Sequence, residues 1–403
     1  MSKILAAIFL LLFIGLLVFS PNIIRLYKLA NLYNEKTIAK NFINMGSIFL
    51  ESPSIKSSDE PHEFKSESFE LPENYFFEGE KLSLQEGIAH FHTDGLLILY
   101  DGKVLFEQYW NGNNKDSKHI SFSVAKSYLS ALVGIAFDEN LIDSIDDTVE
   151  KYLPEFKGTG YEGVTIKNLL QMSSGIAFNE DYADPNSDIN KFGRATAKGM
   201  SFKEFAMSLK NGREQGTYNH YVSLDTQVLA LIVESVTNMP LRDYLYKKIW
   251  SKIGTESDAY YITDNSGADM ALGGLNATLR DYAKFGYLYL NNGSWMGEQI
   301  VPRQWVIDSH TPDAPHLMPD AGEKDLSSNE WGYGYQWWVP GNPITDYTAH
   351  GIFNQFIYVD PESNVVIAKT SSNHRFRSER EYSKAAHIAM FRSITSHIQK
   401  TKS

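Results

Sequence analysis

The chain has 403 residues, 43% hydrophobic and 13% aromatic, enough to bury a large core in one big domain or two intertwined ones. A charged fraction of 21% argues against wholesale disorder, and a formal net charge of −12 argues against a nucleic-acid partner or an anionic membrane held by charge. No cysteine is present, which excludes disulfides, cysteine-ligated zinc, iron–sulfur clusters and lipidation on cysteine.

The first element is an apolar run from Ile4 to Phe19 that no charge interrupts. A membrane-spanning helix takes about 20 apolar residues, with a lower limit near 17, and this run sits at that limit. Lys3 gives it the minimal positive flank of a secretory signal. Ser20-Pro21-Asn22 offers no small-x-small cleavage site, which favours an uncleaved signal anchor over a signal peptide. Arg25, Lys28, Lys36 and Lys40 follow, and the positive-inside tendency would keep them cytoplasmic, so charge does not fix the orientation. The expectation is a membrane-anchored or exported protein facing the periplasm or cell exterior.

Residues 21–50 read as a juxtamembrane, partly helical stretch. Residues 51–70, rich in Ser, Glu, Lys and Pro, read as a solvated connector. The expected division is 1–20, then 21–72, then one domain over 73–400. Within that domain, Gly95–Tyr100, Asp101-Gly102 and Lys103–Trp110 predict a hairpin. His90 and His92 read as alternating on a strand without a third ligand, hence structural. Helices are predicted over 123–139, 165–172, 201–210, 224–237 and 279–291. A second hairpin, Asn354–Asp360 and Val365–Thr370 about a Pro361–Asn364 turn, precedes an amphipathic helix over 378–399. Both hairpins fit one antiparallel sheet with a helical insertion between them. Internal repeats and low-complexity tracts are absent.

The chemistry concentrates at Ser123-Val-Ala-Lys126, the only Ser-x-x-Lys in the chain. Residues three apart share a helix face, so hydroxyl and amine can meet. A serine at a helix start also feels the positive end of the dipole, which favours charge developing on its oxygen. The surrounding segment is apolar, and a buried unpaired lysine is costly unless it has a task. A lysine-activated serine nucleophile fits both facts. Four further segments matter: Gly216–Leu229 with Tyr221 and Ser223, Leu169–Ile176, Leu272–Gly286, and Thr348–Gln355. No Gly-x-Ser-x-Gly elbow and no His-Glu-x-x-His occurs, which speaks against an α/β-hydrolase and against a metal.

Six segments in order resemble the serine β-lactamase-related superfamily, the group of class C β-lactamases, DD-peptidases and related esterases. They are Ser123–Lys126, Met172-Ser-Ser-Gly175, Tyr221-Val-Ser223, Gly273–Thr278 with Arg280-Asp281, Gly332–Trp338, and Ala349-His350-Gly351 with Gln355. Within the group the chain is most similar to the 6-aminohexanoate-dimer hydrolase branch, over about residues 40–395. The resemblance implies an α+β, β-lactamase/transpeptidase-like fold: an antiparallel sheet flanked by helices, with a mainly helical second subdomain.

It also implies roles. Ser123 would be the nucleophile, Lys126 and Tyr221 its proton-handling partners, and the backbone N–H groups of Ser123 and Ile352 the oxyanion hole. Ser223 replaces the asparagine of the family's Tyr-x-Asn motif. Ala349-His350-Gly351 replaces Lys-Thr-Gly, so the cation that grips a β-lactam carboxylate is missing or moved to His350, against an efficient β-lactamase. Tyr182, Ser223, Asn276, His350 and Gly351 are the substrate-binding candidates, and Asp184 and Asp188 are candidates to hold a substrate amine. A neutral lysine at pH 7 costs roughly 4.6 kcal/mol and a tyrosinate roughly 4 kcal/mol, so these values alone do not choose the base. The expected activity is cleavage of a small amide, peptide or ester through an acyl-enzyme, with no cofactor. The competing readings are a non-catalytic ligand-binding module and a penicillin-sensitive DD-peptidase on the same fold.

Overall fold

The computed structural model describes residues 24, 27–319, 321, 331–341 and 345–402. The signal or anchor assigned to residues 4–19 lies outside these. Among the described residues, no helix is long and apolar enough to cross a membrane.

The elements that place the site are, in chain order, β1 (Leu50–Glu51), β2 (Lys65–Ser66), α1 (Leu84–His90), β3 (Thr93–Tyr100), β4 (Lys103–Tyr109), β5 (His119–Ile120), α2 (Ala125–Asp138), α3 (Asp188–Ala197) and α4 (Ser223–Thr237). They continue with β6 (Tyr260–Thr263), β7 (Leu275–Ala277), α5 (Leu279–Leu290), β8 (Gly332–Tyr333), β9 (Trp338–Val339), β10 (Tyr347–Gly351), β11 (Gln355–Asp360), β12 (Val365–Ser371) and α6 (Arg380–Lys402).

Both predicted hairpins join one eight-stranded sheet, ordered β8-β9-β10-β11-β12-β3-β4-β2. The β12–β3 pairing that unites them is antiparallel, from Val365↔Tyr100 onward. Among the described residues, only the short edge pairing of Lys65–Ser66 on Lys103–Val104 is parallel. Asp101 and Gly102 both adopt positive φ, 49° and 70°, as a two-residue turn matched to strand twist requires. Leu96 to Leu99 are each 1% exposed or less. Alternation sends Leu97 and Leu99 to the cluster that holds α2 and α5. Leu96 and Ile98 face the cluster that holds α6 through Phe391 and Ile394. Both faces are therefore covered, which is why β3 reads as a continuous apolar run. Helix α5 lies close on the sheet at Gly286, where a Cβ would stand 2.6 Å from Val366 Cγ1.

The insertion between β5 and β6 carries α2, α3 and α4. Every residue of α2 from Ala125 to Ala136 is buried. A small second sheet, β1-β6-β7-β5, closes the other side of the site.

Two regions differ from expectation. Leu32, Ile38, Phe42, Met45 and Ile48, on the stretch read as juxtamembrane, form a buried cluster with Ile120, Ile262, Phe353 and Phe376. The stretch read as connector continues it: β1 pairs with β6, and Ile55 bridges to Ala259. Its polar composition serves attachment, because Asp258 accepts from the Ser54 hydroxyl, Lys56 and the Ser57 N–H at 2.8–2.9 Å. His90 and His92 are not on a strand. His90 ends α1, whose N-terminus is capped by Ser83 accepting from the Glu86 N–H, and His92 turns the chain at φ 45°.

Candidate active site

Ser123 sits on a single 3-10 turn, Phe122–Val124, that runs straight into α2. Phe122, just before it, has φ 45°, a left-handed conformation that is strained for a bulky side chain. The reversal presents Ser123 at the helix start, half-buried, while Lys126 one turn on is 1% exposed. The Lys126 amine donates to Ser123 Oγ at 3.1 Å. It also donates to the Leu272 carbonyl. The Gly273-Gly274 turn thus has a part in the site, since it delivers that carbonyl; a Cβ on Gly273 would stand 3.3 Å from the Phe122 backbone.

Tyr221, 7% exposed, enters from the loop before α4, and its phenol lies close enough to Ser123 for that hydroxyl to favour the ionised phenol. Its ring lies 5.3 Å from the Lys126 nitrogen and stacks on Trp338 at 5.4 Å. Three side chains from two distant stretches therefore meet at one hydroxyl. Trp337, beside Trp338, turns the opposite way into the core against Tyr289.

Burial decides the proton positions. It lowers the Lys126 pKa to about 7, against an opposing pull from Glu180 and Asp225. It raises Tyr221 far above the ordinary phenol range, although the Ser123 hydroxyl pulls the other way. The amine is thus the group that can be neutral near pH 7, and the phenol keeps its proton. This separates two groups whose ordinary values are nearly equal.

Glu180 is a site residue that sequence reading missed. It is 5% exposed and accepts from the Ser223 N–H at 3.0 Å, the Ser223 hydroxyl at 2.6 Å and the Tyr182 hydroxyl at 2.7 Å. Burial raises its pKa while Lys126 and these donors oppose the rise. Ser223 and Tyr182, expected to touch substrate, are thereby committed to holding this carboxylate; Tyr182 also lines the site. The only available signal was an acidic loop, which also fits a solvated surface.

The other candidates divide. Gly351 presses against the nucleophile turn: a Cβ there would lie 2.6 Å from the Ser121 carbonyl oxygen and 3.1 Å from the Ser123 nitrogen. Ile352 follows it and lines the site. The Gln355 amide holds that turn, donating to the carbonyls of Ile352 at 3.3 Å, Phe353 at 3.2 Å and Ser371 at 2.7 Å. His350 lines the pocket, but burial together with Lys384 and Arg380 drives its pKa well below the ordinary value, so it is not the moved cation. The cations come instead from α6: Arg380 and Lys384 line the same pocket, with Lys384 4.6 Å from the Trp331 ring. Asn276 is buried on β7, bonded to the Gly274 carbonyl at 2.9 Å, and lines no cavity at Ser123. Asp184 and Asp188 organise their own loop, accepting from Asn186 N–H at 2.8 Å and Asn179 N–H at 2.9 Å. Arg280 is bound to Glu107 and Glu256, and Thr278 caps α5, its hydroxyl accepting from the Asp281 N–H and donating to the Asp281 carboxylate. Among the described residues, no cluster of His, Asp and Glu could hold a metal.

A helical insertion docked on an antiparallel sheet, with a serine, a buried lysine and a tyrosine at the junction, defines the class of β-lactamase-fold hydrolases. The beta-lactamase family model matches residues 84–389, and the chain belongs to that family. A 6-aminohexanoate-dimer hydrolase of Paenarthrobacter ureafaciens is 32% identical over 296 residues, 72% of this chain and 75% of that one. A solved Bacillus anthracis protein assigned as a 6-aminohexanoate-dimer hydrolase superposes with a TM-score of 0.80 at 26% identity, covering 92% of this chain and 96% of that one. A family VIII carboxylesterase shares the fold at TM-score 0.56 and 15% identity, over 76% of this chain and 96% of that one.

Proposed function

We propose that the protein cleaves an amide or ester of a small molecule or peptide through an acyl-enzyme on Ser123. The observation that carries this is Ser123 at a helix start, open to two cavities, with the buried Lys126 amine 3.1 Å from its Oγ. Neutral Lys126 takes the Ser123 proton as Oγ attacks the substrate carbonyl carbon. The tetrahedral oxyanion rests on the backbone N–H groups of Ser123 and Ile352, each such donor contributing about 3 kcal/mol. Tyr221 gives its proton to the leaving nitrogen or oxygen as that bond breaks, and recovers one from the Lys126 ammonium. Water, deprotonated by the same amine, then attacks the acyl carbon; the bond to Ser123 Oγ breaks, Oγ takes that proton back from Lys126, and the acid is released. Glu180 and Gln355 act as positioning residues. The names of the relatives support the amide and ester classes.

Fluorophosphonate labelling followed by intact-mass measurement tests the reading. One adduct on the wild type and none on Ser123→Ala is expected; equal labelling of both defeats it, and no label at all favours a binding module. We also propose that residues 4–19 tether or export the chain. Detergent-free fractionation checks this: a soluble mature chain lacking residues 1–20 marks a cleaved signal, and a membrane-bound full-length chain marks an anchor.

A further inference from the structure

Two spaces open on Ser123, and they share only Ser123, Tyr182 and Ile352. One is the polar pocket of Glu180, Tyr221, His350, Arg380 and Lys384. The other is a cavity of about 440 Å³, within the range of small-molecule sites. Its walls include Leu29, Leu32, Met45 and Ile48 of the N-terminal segment and Ile189 and Phe192 of α3.

The charged groups of this cavity are already engaged. The Asp264 carboxylate, 5% exposed, accepts from the N–H groups of Phe202 at 2.9 Å, Ser266 at 2.8 Å and Ala268 at 3.1 Å, and from the Ser266 hydroxyl at 2.6 Å. That is about as many donors as a carboxylate accommodates, so little capacity remains for a ligand ammonium. Arg377 lies over the Tyr33 ring at 5.4 Å and repels a cation. A positively charged chain end would lose its water here without a partner.

Direction follows from the proposed reaction, on which this inference rests. Tyr221, the proton donor to the leaving group, lines the polar pocket and not the cavity. The bond to the leaving group therefore faces the polar pocket, whose volume of about 20 Å³ opens to solvent beside Arg380 and Lys384, and the acyl arm extends the other way. We infer that the 440 Å³ cavity is an acyl-binding site for an uncharged aliphatic chain, and that the N-terminal segment sets the chain length accepted. An acyl group ending in an ammonium, as 6-aminohexanoyl does, is disfavoured.

The test uses the full chain and p-nitrophenyl acetate, butyrate, hexanoate, octanoate and 6-aminohexanoate, with Ser123→Ala as the background. Each added methylene should raise kcat/KM about fourfold until the cavity fills, with at least a hundredfold between acetate and octanoate. Hexanoate should exceed 6-aminohexanoate by at least about tenfold. Gly193 of α3 lines the cavity, and a Cβ there meets no heavy atom within 4 Å. Gly193→Trp should therefore lower the octanoate-to-acetate ratio at least about tenfold. A flat chain-length series, or a preference for the amino ester, overturns the inference. Should that variant fail to fold, the labelling rate of wild-type Ser123 decides instead: a decyl fluorophosphonate must react faster than its methyl counterpart, and equal rates overturn the inference. Cleaved esters and a labelled serine without chain-length dependence would remove the acyl site alone. No serine-dependent cleavage and no label would remove the hydrolase reading beneath it.

Discussion

Two lysines in this molecule are nearly the same by electrostatics. Lys126 and Lys369 are each 1% exposed, each donates to a serine hydroxyl, and burial lowers the pKa of both to about 7. What differs is the serine. Ser123 opens on two cavities and begins a helix, whereas Ser371 is fully buried in β12, with its backbone bonded to Gln355. A shifted lysine therefore marks a buried amine and no more. Chemistry needs space for a carbonyl beside the hydroxyl and donors for the oxygen that becomes charged.

The largest expected effect separates the two serines. Ser123→Ala should reduce kcat by about 10⁵-fold or more, while Ser371→Ala should remain within about fivefold in the same ester assay. Equal losses would erase the distinction. Next come the lysines: Lys126→Met should lower kcat/KM by about 10³-fold, and Lys369→Met by less than about tenfold.

The same pair carries a stability prediction. The folded pKa of Lys126, about 7, lies below its ordinary 10.5, so stability is lost as pH falls from 10.5 to 7 and the loss is complete below 7. That cost approaches roughly 5 kcal/mol at pH 7 and is offset in part by the lost bond to the Leu272 carbonyl. Lys126→Met should accordingly be more stable than the wild type by about 2 kcal/mol in urea unfolding at pH 7, with the gain shrinking toward pH 10. A loss of stability at pH 7 would mean the amine is not desolvated in solution.

Gln355 links the two regions: its Oε1 accepts from the Ser371 N–H, and its Nε2 donates to the Ser371 carbonyl and to those of Ile352 and Phe353. Gln355→Leu should lower kcat about 10- to 100-fold with little change in KM, if that turn carries an oxyanion donor. The smallest effect is a shift in pH profile. The kcat/KM of the wild type should rise with pH through about 7 as Lys126 loses its proton. Glu180 raises the Lys126 pKa, so Glu180→Gln should move that limb to lower pH. Asp94 has the same sign of effect on Lys369, and Asp94→Asn should leave the limb where it is.

Much of this was readable before folding. The Asp101-Gly102 and Pro361–Asn364 turns delimit both hairpins, and the apolar runs at 125–136 and 224–233 are the buried helices α2 and α4. Ser123, Lys126 and Tyr221 were found because their spacing and order match a family pattern. Glu180, Arg380, Lys384 and the Leu272 carbonyl were not, because only tertiary closure turns them toward the site. Periodicity identifies which face of a helix is buried, not what it is buried against. His90 and His92 were misplaced because alternation over three residues cannot outweigh the Ser83 cap that starts α1. The N-terminal stretch was undervalued because its polar residues obscured five buried apolar ones, Leu32 to Ile48.

That stretch has one more consequence. The family match begins at residue 84, whereas the cavity wall from Leu29 to Leu50 precedes it. Part of the proposed chain-length ruler thus precedes the segment that carries Ser123, Lys126 and Tyr221, while Ile189, Phe192 and Gly193 supply the rest from within it. Drift confined to the ruler can retune which acids are released while the proton relay stays untouched, a division of labour that laboratory evolution could exploit by randomising only the leading segment.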